Sequence, residues 1–134
     1  EQIVELYNRA VGDSLAREQF REHYQPIRLG TVNAVERRQN PTISAEFRET
    51  TDGDFFALAL ASTSQYLIVP RLGLTIEAVS YRAGALGEVF NKTEHYDPAL
   101  FYSRYRVQLP AYFKRDGDHW ELQASGKLDL GLGD

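Results

Sequence analysis

Apolar residues are densest between Asp54 and Pro70, in the stretch DFFALALASTSQYLIVP. Phe55 to Leu60 and Tyr66 to Val69 form two short apolar runs separated by the polar Ser62–Gln65. Aromatic and branched residues suit a pleated surface, and runs this short bounded by turn residues predict strands rather than helices. Successive strand side chains point to opposite faces, so strands apolar on both faces belong at the centre of a sheet or in a small barrel. Asp52-Gly53 opens this hairpin, and Pro70 ends it because proline cannot donate to a central ladder.

The flanking pattern fills in the remaining elements. Ile3, Leu6, Tyr7, Ala10 and Val11 follow amphipathic helical spacing, and Gly12-Asp13-Ser14 interrupts it. Asp13 or Ser14 is placed to cap a second helix through Tyr24, with Phe20 and Tyr24 on one face. This helical segment, residues 1–26, is expected to lid one end of the sheet. Residues 27–39 alternate through Leu29, Thr31, Asn33 and Val35 and predict a strand; Ile43, Ala45 and Phe47 predict another with one wet face. Val79, Ala83, Leu86 and Phe90 recur at helical spacing and predict one inserted helix near residues 78–90. The stretch 101–113 alternates again, with Phe101, Tyr105, Val107 and Leu109 facing inward and Tyr102, Arg104, Arg106 and Gln108 outward. Asp116-Gly117 signals a tight hairpin leading into a last strand through Trp120, Leu122 and Ala124, then Leu128 and Leu130. The sum is an α+β domain over residues 1–134, with a β-rich core at 27–130. Its sheet is a strongly bent antiparallel sheet or a small SH3-like barrel of about six strands.

Composition narrows the function. The chain has no cysteine, which removes disulfides and thiolate metal sites and suits a cytoplasmic location. A net charge of −4 with interspersed signs weighs against a dedicated nucleic-acid binder. No apolar run approaches the ~20 residues of a membrane span, and no signal peptide is visible. The chain opens on Glu1 and contains no methionine, which points to a fragment or processed product.

Several landmarks recur in order along nearly the whole chain: Leu6-Tyr7-Asn8, Arg28-Leu29-Gly30, Tyr66 to Pro70, Ile76, Ser80-Tyr81, Val89-Phe90, Pro110-Ala111, Trp120-Glu121-Leu122 and Gly126-Lys127-Leu128. Their order and spacing resemble an uncharacterised β-rich accessory domain of cyanobacterial proteins, often C-terminal in a longer chain. The chain departs from that pattern near Ser80 and around Asn91. The resemblance implies a β-rich fold, an accessory role and no catalytic residues.

Candidate chemistry is sparse. His23, His95 and His119 are scattered and at no metal-ligand spacing. Asp52-Gly53-Asp54 and Asp116-Gly117-Asp118 lack the further oxygen ligands of a calcium loop and read as turns. Glu94, His95 and Asp97 place carboxylates near an imidazole, but no nucleophile motif accompanies them. No catalytic residue, cofactor or metal is therefore expected. The surface that stands out is Tyr102, Arg104 and Arg106 on one outward strand face, extended by Lys114 and Arg115, because tyrosine and arginine are enriched at binding hot spots. The bland counterpart is a solvated face paired with Glu46 or Glu49. The expected function is a non-catalytic accessory domain binding a protein partner or a fused upstream domain. The alternatives are a small barrel binding single-stranded nucleic acid and a domain enclosing an apolar ligand near Tyr81, Phe90 and Tyr96.

Overall fold

A computed structural model describes residues 2–40, 42–60, 64–91 and 93–131. The chain runs α1 (Gln2–Val11), α2 (Ser14–Tyr24), β1 (Ile27–Thr31), α3 (Ala34–Gln39), β2 (Phe47–Glu49), β3 (Phe55–Ala59) and β4 (Gln65–Pro70). It continues through α4 (Ala78–Arg82), α5 (Leu86–Val89), β5 (Arg106–Leu109), β6 (Ala111–Asp116), β7 (His119–Ala124) and β8 (Lys127–Asp129). Six strands close into an antiparallel barrel in the order β1-β2-β7-β6-β4-β3, and β5 pairs with β8 in a separate ribbon. The expected α+β architecture with a small barrel is what the chain adopts.

The apolar hairpin is central to it. Phe55 to Ala59 pair in register with Pro70 to Tyr66. Phe55, Phe56, Ala57, Leu58, Leu67, Ile68 and Val69 are all buried, which is why both faces of this hairpin are apolar. The turn expected at 62–65 and the tail expected at 131–134 fall largely outside the described residues. The Asp-Gly signal also holds: Asp116 pairs with His119, and Gly117 takes φ +62 at the first turn position, a conformation that glycine adopts without steric cost.

At the N-terminus, Asp13 caps α2 by accepting from the amides of Leu15 and Ala16. Phe20 and Tyr24 pack ring on ring at 4.8 Å, and Phe20 meets Tyr7 of α1 edge-on at 5.8 Å. The helical hairpin docks on β5 and the end of β4. The Asn8 amide exchanges hydrogen bonds with the backbone of Val107, and the Tyr7 hydroxyl donates to the Pro70 carbonyl.

Five elements depart from expectation. The strand expected through Ile43, Ala45 and Phe47 is confined to Phe47–Glu49, and the last strand, expected to continue from Trp120 to Leu130, is two strands, β7 in the barrel and β8 in the ribbon. The strand predicted over 27–39 stops at Thr31 and becomes α3. Its buried positions there are Asn33 and Arg37, four apart, while Val32 and Val35 face solvent. The helical period is carried by polar residues, which a hydrophobic pattern cannot register. The single helix expected near 78–90 is two short helices, because Ala85 adopts φ +68 and breaks the run. The strand predicted over 101–113 is two strands, β5 and β6, in different sheets, and residues 101–105 form a loop with one isolated bridge. Tyr105 and Val107 are buried as expected, whereas Phe101 and Leu109 are exposed.

Candidate interaction surface

Tyr102, Arg104 and Arg106 do not share one strand face, because β5 begins only at Arg106. Tyr102 lies in a short antiparallel bridge with Ile76, where each residue's amide donates to the other's carbonyl, at 2.7 and 2.8 Å. Its ring turns back along the chain. The hydroxyl donates to the His95 carbonyl at 3.0 Å and accepts from the Asp97 amide at 2.9 Å. The Asp97 carboxylate in turn accepts from the Ala99 amide, and the Asp97 carbonyl accepts from the Leu100 amide. Residues 95–102 are thus a loop cross-braced by its own polar groups. The side-chain turn at Asp97 is the kind that aspartate before proline favours.

The loop is also anchored sideways. The Tyr96 ring stacks on Tyr81 of α4, with centroids 3.7 Å apart and planes 10° apart. The Tyr96 hydroxyl is buried without a hydrogen-bond partner, and burial pushes its pKa above the ordinary phenol value. His95 sits at φ +65, a region uncommon for residues other than glycine although histidine enters it more readily than most. Its Nδ1 is 3.0 Å from Oδ1 of Asp129 on β8. The Gly131 amide, and after it His95, hold the Asp129 carboxyl below the usual carboxylate range. Arg106 pairs across the ribbon with Asp129, so its charge falls on the same carboxylate.

Bracing the loop from within exposes its tip. Leu100 is 51 % exposed and Phe101 is 73 % exposed. Arg104 and Arg106 are exposed on the following residues, and Arg104 has no hydrogen-bond or ion-pair partner among the described residues. Tyr102 is half-buried with its hydroxyl engaged, so the solvent-facing aromatic is its neighbour Phe101. Period-two alternation misassigned the pair because it assumes an extended strand, and the Asp97 turn supplies a bend instead. Arg115 joins a different site: it lies 4.9 Å over the Trp120 ring and 3.8 Å from Glu49, the cross-strand partner considered for this patch.

The other sequence candidates resolve as follows. His95 pairs with Asp129 rather than with Glu94 or Asp97. His23 packs edge-on against Tyr24, and His119 lies 3.9 Å from Glu121. Phe90 is fully buried in the core, and Tyr81 and Tyr96 stack on each other, so the aromatics considered for an apolar pocket fill their own space. Among the described residues no group of three or more histidines or carboxylates is arranged to hold a metal, and no helix is long and apolar enough to cross a membrane. Comparison with protein-family models, with curated proteins and with solved structures found no match to this chain.

Proposed function

We propose that this chain is a non-catalytic accessory domain that binds a protein partner through the tip and flank of the 97–106 segment. The observation that carries this reading is Phe101, a large aromatic side chain 73 % exposed on a loop held by its own hydrogen bonds. Phenylalanine is a strong anchor when a partner pocket buries it, and a loop already fixed in shape loses little conformational freedom on docking. Arg104 and Arg106 flank the anchor, so the complementary partner surface is an apolar pocket rimmed by carboxylates. The accessory role is also what the resemblance to the cyanobacterial domain implies. A chain without cysteine suits the reducing cytoplasm, and that is the compartment assigned here.

The test is affinity capture from a nuclease-treated cell lysate with the wild-type domain, Phe101→Ala, and Arg104→Glu/Arg106→Glu, each confirmed folded. A partner captured by the wild type and lost from both variants is the expected result. Purified, that partner is expected to bind Phe101→Ala about 30-fold more weakly, the scale of a hot-spot aromatic. Equal binding by all three proteins overturns the assignment. Capture abolished by the nuclease step replaces the protein partner with nucleic acid.

A further inference from the structure

The short helices α3 and α4 approach each other through Arg37, whose guanidinium donates to the Arg82 carbonyl at 3.2 Å and the Ala83 carbonyl at 3.3 Å. A groove of about 460 Å³ lies between them. Arg37 and Arg38 line it from α3; Ala78, Val79 and Arg82 line it from α4, with Ala83 at the end of that helix. Helical spacing builds the α4 wall, because residues three and four apart share a face, as Val79 and Ala78 do with Arg82. The buried Arg37 fixes one wall to the other, so the groove has its shape before any ligand arrives.

The charge of this groove is one-sided. Three of its six lining residues are arginines and none is a carboxylate. Arg37 pairs with Glu88. Arg38 and Arg82 are exposed, and neither has a carboxylate within ion-pairing distance among the described residues. In a chain of net charge −4 this is a local inversion. Between the two arginines the surface is apolar: Val79 is 48 % exposed, with the small side chains of Ala78 and Ala83 beside it. The groove opens into a larger cleft that shares Arg38, Val79 and Ala83, and the carboxylates Asp52, Asp54 and Glu77 line that cleft instead.

We propose that this groove docks an acidic amphipathic helix of a protein partner, with an aliphatic side chain seated on Val79 and carboxylates on Arg38 and Arg82. Charge complementarity selects the acidic occupant, since the two guanidiniums are unanswered and carboxylates pair with them by charge-assisted hydrogen bonds. The exposed valine between small neighbours selects an apolar anchor on the same segment. A helix satisfies its own backbone, and it suits a groove whose lining belongs to helices and offers no strand edge to an extended peptide. A nucleic-acid strand would find no aromatic side chain in the lining to stack on, and its phosphates would meet the carboxylates of the adjoining cleft.

The test is titration of the isotope-labelled chain with a short helix-stapled peptide that carries leucines along one face and glutamates on either side of them. Saturable shifts of the Val79 methyl groups and of the Ala78 and Ala83 amides are expected. The same peptide with lysines in place of the glutamates should leave these signals unmoved. Arg38→Glu/Arg82→Glu should weaken binding of the glutamate peptide at least about tenfold, because it sets like charges against each other. Val79→Ser should weaken it while the salt dependence stays, since the charged contacts remain. If the double variant fails to fold, Arg38→Gln replaces it. Absence of saturable shifts up to about 1 mM peptide, equal binding of the lysine peptide, or unchanged affinity in the arginine variants overturns the proposal. Phosphatidylserine vesicles or single-stranded DNA that move the same signals at lower concentration than the peptide also overturn it and reassign the groove to a membrane or a nucleic acid. Partner capture through Phe101 does not depend on this groove, so either assignment can fail alone.

Discussion

Arg37 shows how much one side chain organises here. It is 5 % exposed, and its guanidinium donates to the carbonyls of Ala83, Ile43 and Arg82 and pairs with Glu88. One residue of α3 thereby ties the 40–46 connection to both short helices that follow β4. Removing it strips the donor from the buried Ala83 carbonyl and from the part-buried Ile43 carbonyl, a loss larger than that of a surface ion pair. Arg37→Ala should destabilise the fold by about 3 kcal/mol or more, while Arg38→Ala next to it, exposed, should stay within about 0.5 kcal/mol. Urea unfolding of the two variants checks this, and comparable midpoints would show that Arg37 is dispensable. Nothing in the sequence marked Arg37 as buried, because arginine is ordinarily a surface residue and composition assigns it outward. Phe101 is the mirror case: an aromatic assigned inward by alternation and turned outward by the turn at Asp97.

At the level of elements, the most local signals were the most legible. The apolar hairpin of β3 and β4, the Asp13 cap and the Asp-Gly turn between β6 and β7 each depend on neighbours within a few residues, and each is found where it was expected. Elements whose form depends on distant partners were not. The run at 78–90 has helical spacing throughout, yet it breaks at Ala85. The stretch at 101–113 has strand spacing throughout, yet its first part bridges to Ile76 and its halves join different sheets. Asn8 belongs with these long-range devices. Its amide mimics a strand edge, donating to the Val107 carbonyl at 2.9 Å and accepting from the Val107 amide at 2.8 Å. Asn8→Ala should cost about 2 kcal/mol by leaving both groups unpaired. The Val107 amide should then exchange with solvent well ahead of the amides of β6. Unchanged protection at Val107 would show that α1 docks without this contact.

For the molecule as a whole, the barrel is closed unevenly. β3 and β4 pair over five residues, but β2 and β7 meet in register only at Phe47 and Trp120. Phe47 reinforces that seam by packing edge-on against Phe113 at 4.8 Å and Phe55 at 6.1 Å. Few ladder bonds and one aromatic anchor make this the place where the barrel should open first. Native-state hydrogen exchange should show β2 and the facing edge of β7 exchanging before β3, β4 and β6. Phe47→Ala should widen that gap while destabilising the fold by about 3–5 kcal/mol. Exchange of all six strands with one common free energy would mean the barrel opens only as a unit.

The candidate surfaces were partly legible for the same reason of range. Arg104 and Arg106 were singled out from their spacing, and both are exposed; the anchor beside them, Phe101, emerged only from the folded loop. The approach of the Arg17 and Arg71 guanidiniums to Gly73 had no sequence signal, because they lie on α2 and beyond β4 and come near each other only when the helical hairpin docks on the barrel. The sequence by itself determined the fold class, the central hairpin, the helical N-terminus and the tight turn, since hydrophobic period and turn chemistry act between near neighbours. Only the tertiary structure decided that the sheet closes, that three predicted elements split, and which polar side chains are buried or left exposed. Those outcomes are set by partners far apart in the chain, whose desolvation and hydrogen bonding exist only once the elements have packed.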